Sequence, residues 1–231
     1  MKERTRAILE RAVADFIKTG VPITSEYLYE RHNFGIRPAM IRLELGTLSD
    51  GGYFYKQHPS GGRFPTDKAY RFFADWFLEK ECNTSAENDM ATQTLAEKFI
   101  DGERKQFIED VARHMHVLGV GFDANSHEIF ESGLENLLYN LDSEEKMTLL
   151  GVVRDFEELP KRLLATQFWQ GNNLWPQVFI GESPVTRSSH LSVIVGSIGE
   201  KCDSFMVMMV GPKRTDYRRS IRLLNALRGT L

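Results

Sequence analysis

The 231-residue sequence has only two cysteines, Cys82 and Cys202, which lie far apart along the chain. They form neither a disulfide framework nor a CxxC metal pair, a pattern that suits the reducing cytosol. No segment approaches the run of about 18 apolar residues that a membrane helix needs. The first residues are amphipathic rather than a basic stub before an apolar core, so we expect neither a signal peptide nor a membrane span, and a cytoplasmic protein.

Catalytic motifs are missing too, since no GxxxxGK[ST], GxSxG or HExxH occurs. His114 and His116 are two residues apart, which places them on different sides of a helix, where they cannot share a metal. Gly119-Val120-Gly121 alone is too weak a signal for a nucleotide loop. The carboxylate pairs Glu144-Glu145 and Glu157-Glu158 lie in charged helical surroundings typical of solvated faces. We therefore predict a protein that is not an enzyme and uses neither a cofactor nor a metal.

Apolar residues recur at helical spacing in three N-terminal segments: Glu3–Thr19, Glu26–Arg31 and a third that starts at Pro38. Thr24 or Ser25 can cap the second helix. In the third, the spacing predicts an inward face made of Ile41, Leu45 and Leu48. The glycines of Asp50-Gly51-Gly52 are expected to end that helix.

A hairpin is predicted directly after the third helix. Tyr53-Phe54-Tyr55 is strand-prone, and Pro59-Ser60-Gly61-Gly62 has turn chemistry, flanked by Lys56, His58 and Arg63. Residues 1–80 contain 13 Lys and Arg against 10 Asp and Glu, whereas the remainder contains 16 against 22. Three helices and a basic hairpin on the more basic part of the chain indicate a winged helix-turn-helix domain.

Residues Met1 to Phe77 resemble the N-terminal domain of the HrcA family, bacterial heat-inducible transcription repressors. The family pattern runs SPATIRNEM, LGY and HTSAGRIPTDKGYRYYVD, and this chain has RPAMIRLEL, GGY and HPSGGRFPTDKAYRFFAD. The last block matches without a gap at Ser60, Gly62, Arg63, Pro65, Thr66, Asp67, Lys68, Tyr70, Arg71 and Asp75. Where the family has Ser, Thr and Asn in the first block, this chain has Arg37, Met40 and Leu43.

The resemblance implies a repressor of chaperone genes that binds the CIRCE inverted repeat as a homodimer, assisted by the chaperonin GroEL. Two recognition helices related by a two-fold axis require such a palindrome. The residues expected to meet the major groove are Arg37, Met40, Arg42, Leu43 and Thr47. The residues expected to meet the DNA backbone or minor groove are His58, Ser60, Arg63 and Lys68.

After Phe77 the composition changes, and polar residues around 79–89 read as a linker. Helical spacing follows over Ala86–Leu118, with a break near Asp101-Gly102, and then over Glu128–Tyr139 and Ser143–Phe168, the last interrupted near Pro160. Gly119–Ser126 is read as a turn. Three antiparallel strands are predicted at Gln177–Ile180, Leu191–Ile198 and Ser204–Val210, and a closing helix at Asp216–Arg228.

This half also resembles the HrcA family, whose C-terminal region is related in fold to GAF domains. The matching elements are Gly133–Leu138 with GGLSNLL, Ile180–Ser183 with IGEEN, and Gly211–Ile221 with GPTRMDYERVI. Typical members are longer, and the missing part, which holds early strands and an inserted subdomain, falls between Leu118 and Glu128. We therefore predict an α+β chain: a winged helix-turn-helix domain at 1–78, a linker at 79–89 and a truncated GAF-like dimerisation and regulatory domain at 90–231, with helices on a small antiparallel sheet.

Two other functions stay open. The apolar side chains Met40 and Leu43 could serve a protein partner, which would make the chain a non-enzymatic adaptor. A GAF-like domain could alternatively hold a small-molecule sensor that controls a different operator, although three strands make a small sheet for enclosing a ligand.

Overall fold

A computed structural model describes residues 1–59, 61–81, 90–100, 103–141, 146–165, 176–198 and 205–229. The chain forms two units, Met1–Asp75 and Trp76–Leu231. The boundary between them lies inside a helix, α4 (Asp67–Glu81). The segment 79–89, predicted as a linker, therefore begins within this helix, and the rest of it lies outside the described residues.

The first unit starts with the three predicted helices, α1 (Glu3–Thr19), α2 (Ser25–Arg31) and α3 (Pro38–Asp50). Gly20 ends α1 in the left-handed conformation, with φ of 67°. Of the two candidate caps of α2, Thr24 is the one used, because its hydroxyl oxygen accepts a hydrogen bond from the Tyr27 N–H at 3.1 Å. The predicted inward face of α3 is confirmed by the burial of Ile41, Leu45 and Leu48.

A two-stranded antiparallel sheet follows α3. Its strands are β1 (Phe54–Tyr55) and β2 (Phe64–Pro65), with Tyr55 opposite Phe64. The two aromatic rings of that pair stack, and Phe64 also meets the edge of Phe16 from α1. The hairpin is thus packed against the helices by aromatic contacts.

The second unit is a five-stranded antiparallel sheet with helices around it. Its helices are α5 (Met90–Ile100), α6 (Arg104–Met115), α7 (Leu134–Asn140), α8 (Lys146–Ala165) and α9 (Tyr217–Gly229). Its strands are β3 (Leu118–Asp123), β4 (Ile129–Ser132), β5 (Gln177–Ile180), β6 (Leu191–Ile198) and β7 (Phe205–Pro212). The strand order is β4-β3-β7-β6-β5.

Both faces of this sheet are covered. On β3, Leu118, Val120 and Phe122 join a buried cluster that includes Leu137 of α7 and side chains of α8. The alternate residues Gly119 and Gly121 lie against Ile108 of α6. Strand β7 is therefore buried along its whole length, as expected for a strand between two helical layers.

Three predictions for this unit are wrong. Gly119–Ser126 is not a turn, because its first half is the strand β3, and Glu128–Tyr139 is not one helix, because it begins with strand β4. The sheet consequently has five strands in the described residues instead of three. The glycines that suggested a turn are needed for packing instead. A Cβ on Gly121 would lie 2.5 Å from the Phe205 ring and 2.9 Å from Ile108. They permit close packing of α6 and a neighbouring side chain on the strand.

The interruption predicted near Pro160 is also wrong, since α8 continues through this residue. Proline removes one backbone hydrogen bond from a helix. The buried residues Val152, Leu159 and Leu163 on either side hold α8 against the sheet across that point. No helix in the described part of the chain is long and apolar enough to cross a membrane.

A buried carboxylate fastens α8 to the loop that precedes β6. Asp155 accepts hydrogen bonds from the Thr186 hydroxyl at 2.5 Å and from Arg162 at 2.6 Å. The backbone N–H groups of Arg187 and Ser188 donate to it at 3.0 and 2.6 Å. Burial disfavours the charge of Asp155, but these donors outweigh burial, so the pKa of the carboxyl lies below its ordinary value.

Candidate nucleic-acid interface

Helix α3 presents one face of polar and apolar side chains to solvent. Its buried residues occupy the opposite face, so Met40 and Leu43 remain 42% and 64% exposed. Arg37, at the N-cap, and Arg42 and Thr47 are exposed as well. The structure thus places all five residues predicted for the major groove on the accessible part of one helix.

The position of α3 is set by a contact that the sequence analysis missed. Glu44, on the flank of α3, accepts a hydrogen bond from the Thr5 hydroxyl at 2.6 Å and pairs with Arg4 at 3.0 Å. The Thr5 hydrogen bond is the main reason that the pKa of Glu44 lies below its ordinary value. This polar contact ties the start of α1 to α3 and so restrains the orientation of the exposed helix face.

The hairpin is held on its other side by the connection between α1 and α2. Ile23 and Arg63 exchange two backbone hydrogen bonds of 2.9 and 2.8 Å, which extend the two-stranded sheet by one bridge. Gly62, next to this bridge, lies so near Pro22 that a Cβ would stand 2.6 Å from the proline Cβ. A side chain at position 62 would therefore force the hairpin away from the helices.

Arg63 links this bridge to α3. Arg63 is partly buried, and its Nε donates to the Ser49 hydroxyl on α3 at 3.1 Å. Burial, and after it the neighbouring charge of Arg42, lowers the pKa of Arg63. Arginine nevertheless stays charged at neutral pH. The hairpin thus places one positive charge against α3, which itself exposes Arg42, and a phosphate is a suitable partner for such charges.

The other residues predicted to contact the DNA backbone lie in different surroundings, and Lys68 belongs to the first turn of α4 instead of the hairpin. His58 is exposed near the tip, and Ser60 lies outside the described residues. The Lys68 ammonium donates to the Gly51 carbonyl at 2.7 Å and lies 4.6 Å from the centre of the Tyr53 ring. Lys68 therefore satisfies a carbonyl at the C-terminal end of α3, where the helix dipole favours a cation. This role was not predicted from the sequence.

The second unit contains an open cleft of about 600 Å³ beside α6 and β4. It is lined by charged residues of both signs and by two neutral ones, Gln106 and Phe130; the charged residues are Glu103, Arg104, Lys105, Glu109 and Glu128. Ligand pockets are usually concave and mostly apolar with few polar groups. This cleft lacks that character, so it gives the ligand-sensor alternative no specific support.

Fold and site together define a two-unit α+β protein in which an exposed helix face lies next to a short hairpin. The family model of the HrcA protein C terminal domain matches residues 69–221, well over half of the sequence. The chain belongs to the HrcA family.

Curated relatives agree with this assignment. The heat-inducible transcription repressor HrcA of Nocardioides sp. is 39% identical over 100 residues, which are 43% of this chain and 29% of that protein. Its counterpart in Alkaliphilus metalliredigens is 34% identical over 109 residues, 47% of this chain and 31% of that protein. The chain thus matches less than a third of these relatives' length.

A solved structure shares the complete fold. The crystal structure of a hypothetical protein superposes with a TM-score of 0.75 and covers 100% of both chains at 18% sequence identity. At this identity the similarity concerns the fold alone. It shows that a fold similar to this one occurs in another protein of known structure.

Proposed function

We propose that this chain is a DNA-binding transcription repressor whose first unit is a winged helix-turn-helix domain. In this proposal α3 is the recognition helix and the hairpin of β1 and β2 is the wing. The observation that carries the proposal is the hydrogen bond of 3.1 Å from Arg63 of the hairpin to Ser49 of α3, a helix that exposes Arg42. We call these two arginines the cationic spot. Membership of the HrcA family supports it, because the named relatives are heat-inducible transcription repressors.

The exposed face of α3 would enter the major groove, whose width accepts a helix. Met40 and Leu43 offer apolar contacts to thymine methyl groups, and Thr47 can contact a methyl group or donate a hydrogen bond. Arg37 and Arg42 can bind guanine edges or phosphates. The wing residues His58, Ser60 and Arg63, together with Lys68 at the start of α4, would contact the backbone or the minor groove, and so set affinity more than sequence preference.

One recognition helix reads only one half-site, so the proposal includes a homodimer on an inverted repeat. The family resemblance supports CIRCE as the starting operator, chaperone genes as targets and GroEL as an assisting partner. The test is fluorescence anisotropy of the purified chain with a CIRCE duplex and a scrambled duplex at physiological salt. Specific complexes are typically tighter than non-specific ones by about a thousandfold or more. Such a preference for CIRCE would support the operator, whereas equal, salt-sensitive binding to both would keep DNA binding and move the operator elsewhere.

The cationic spot has its own test in the salt dependence of binding. Arg42→Gln and Arg63→Gln should each reduce the slope of log K against log salt by about one unit, since each loses one phosphate contact. If one phosphate bridges both arginines, each single variant still holds it, and only the double variant should lose about one unit of slope. Arg11→Gln removes the same charge from an exposed position of α1 and should leave the slope unchanged. An unchanged slope for the double variant, in a protein that melts normally, would refute the site.

The adaptor alternative rests on a specific observation, the exposure of Met40 and Leu43 on one helix face. Large apolar side chains that share a face are typical of protein interfaces. This alternative predicts no salt-dependent DNA affinity for either duplex. It predicts instead a saturable protein complex that Leu43→Ser abolishes and Arg63→Gln does not.

A further inference from the structure

Helix α8 carries a solvent-exposed stripe along its whole length. The exposed positions alternate in steps of three and four residues: Met147, Leu150, Arg154, Glu157, Lys161 and Leu164. The opposite face is buried through Val152, Asp155, Leu159 and Leu163. Steps of three and four residues are the spacing by which two helices pair in a coiled coil.

The chemistry of this stripe changes from its ends to its centre. Met147 is 72% exposed and Leu150 41% exposed at one end, and Leu164 is 54% exposed at the other. The centre carries the opposite charges of Arg154 and Glu157, both exposed. Apolar ends around a charged centre make a pattern that can complement itself when the helix is reversed.

An antiparallel copy of α8 related by a two-fold axis fits this pattern at every position. If the axis lies between Arg154 and Glu157, Arg154 faces the partner's Glu157, and Glu157 faces the partner's Arg154. Met147 then packs on the partner's Leu164, and the aliphatic stem of Lys161 covers the partner's Leu150. Such an interface uses the same surface on both copies, as two-fold symmetry requires.

A parallel pairing is disfavoured by the same residues. It would set Arg154 on Arg154 of the partner subunit, Glu157 on the partner's Glu157 and Lys161 on the partner's Lys161, which places like charges together at three successive positions. Gly151 lies beside this stripe, and a Cβ built on it meets no heavy atom within 4 Å. A second helix can therefore approach the backbone there without a clash.

We propose that α8 pairs antiparallel with α8 of a second copy of this chain. This inference rests on the proposed function in one respect: the α8 pair would be the contact surface of the proposed homodimer. The helix has 20 residues, a length of about 30 Å, so the contact is at the small end of specific interfaces. We expect a dissociation constant in the micromolar range, on the order of 1–100 μM.

Charge reversal of the full chain in sedimentation equilibrium, without DNA, tests the pairing. Arg154→Glu and Glu157→Arg should each weaken self-association by about tenfold or more, because each replaces two attractive pairs with two repulsive ones. The double variant Arg154→Glu/Glu157→Arg restores both pairs in reversed order and should return to within about threefold of the original value. Arg218→Glu makes the same charge change at an exposed position of α9 and is the matched control.

Three outcomes would overturn the proposal. Stronger association of the neutral variant Arg154→Gln would indicate parallel pairing, since it removes the contact between the two like-charged arginines. No effect of either charge-reversal variant would mean that α8 is uncovered, is covered by something else or pairs in parallel, where a reversal only exchanges one like-charge contact for another. A double variant as weak as the single ones would show that these residues do not face each other. Anisotropy on a duplex with one half-site separates this result from the DNA-binding proposal, because binding of one chain to one half-site does not involve α8.

Discussion

The substitution Gly62→Ala tests the close packing of the hairpin on Pro22. The added methyl group would lie 2.6 Å from the Pro22 Cβ and 2.8 Å from its carbonyl carbon, whereas ordinary contacts begin at 3.4 Å. Proline is held in the backbone and cannot rotate away. The hairpin must therefore move outward by several tenths of an ångström.

The expected cost follows from what this movement strains. Overpacking of a fixed contact costs about 1–3 kcal/mol. The two backbone hydrogen bonds between Ile23 and Arg63 lie next to the contact, and each contributes about 0.5–1.5 kcal/mol. We expect a loss of about 2 kcal/mol in the free energy of unfolding of the first unit. For a domain of this size the melting temperature should fall by about 10 °C.

The neighbouring Gly61 provides the control. A Cβ on Gly61 would approach the His58 carbonyl oxygen at 3.3 Å and otherwise meets only ordinary contacts. Gly61→Ala should thus change the melting temperature little. Circular dichroism would give the melting temperatures, and hydrogen exchange would report the protection of the Ile23 and Arg63 amides. Equal melting and equal protection of both variants would refute the close packing of Gly62 on Pro22.

Two further variants address the second unit and the operator. Asp155→Asn should lower stability by about 2–3 kcal/mol at pH 7, since an amide cannot replace a carboxylate facing Arg162, Thr186 and two N–H groups. Because the native pKa of Asp155 is lowered, its contribution to stability is present above about pH 4 and is lost as the pH falls through that native pKa. Urea unfolding should therefore show a smaller difference in stability between the original protein and Asp155→Asn at pH 3 than at pH 7. A difference that stays constant would contradict the role of the charge. Leu43→Asn should change the relative affinity for operators that differ at the facing bases, measured by competition anisotropy, whereas an equal loss on every duplex would contradict its assigned contact.

Helical periodicity predicted the N-terminal elements well. The spacing of Ile41, Leu45 and Leu48 has one explanation, an amphipathic helix, and the structure buries all three residues. The exposed face of α3 was predicted from the same helical spacing. The contact of Arg63 with Ser49 could not be predicted, since it depends on how the hairpin is placed against α3, which no local pattern encodes. The same holds for the contact between Glu44 and Thr5, which joins residues distant in sequence.

The prediction of the sheet was wrong because two of its glycines were taken as turn residues. Gly119 and Gly121 match the composition of a turn, but each lies in β3 where α6 packs closely. A glycine required for space and a glycine required for positive φ look alike in a sequence. The strand was indicated by the alternate apolar residues Leu118, Val120 and Phe122. This period of two, given more weight than the glycines, predicts β3.

The residues of the hairpin block by which this chain resembles its family are largely occupied with holding the hairpin in place. Gly62 packs on Pro22, the Thr66 hydroxyl donates to the Gly52 carbonyl at 2.7 Å, and Lys68 donates to the Gly51 carbonyl. Arg37, Met40 and Leu43, by contrast, differ from the family pattern and lie on the exposed face of α3. Residues that position a domain support affinity for any duplex, whereas side chains on a recognition helix select bases. On the proposed function, the shared block therefore transfers the mode of DNA binding, and the three departures would concentrate any change of operator at the bases facing the first half of α3.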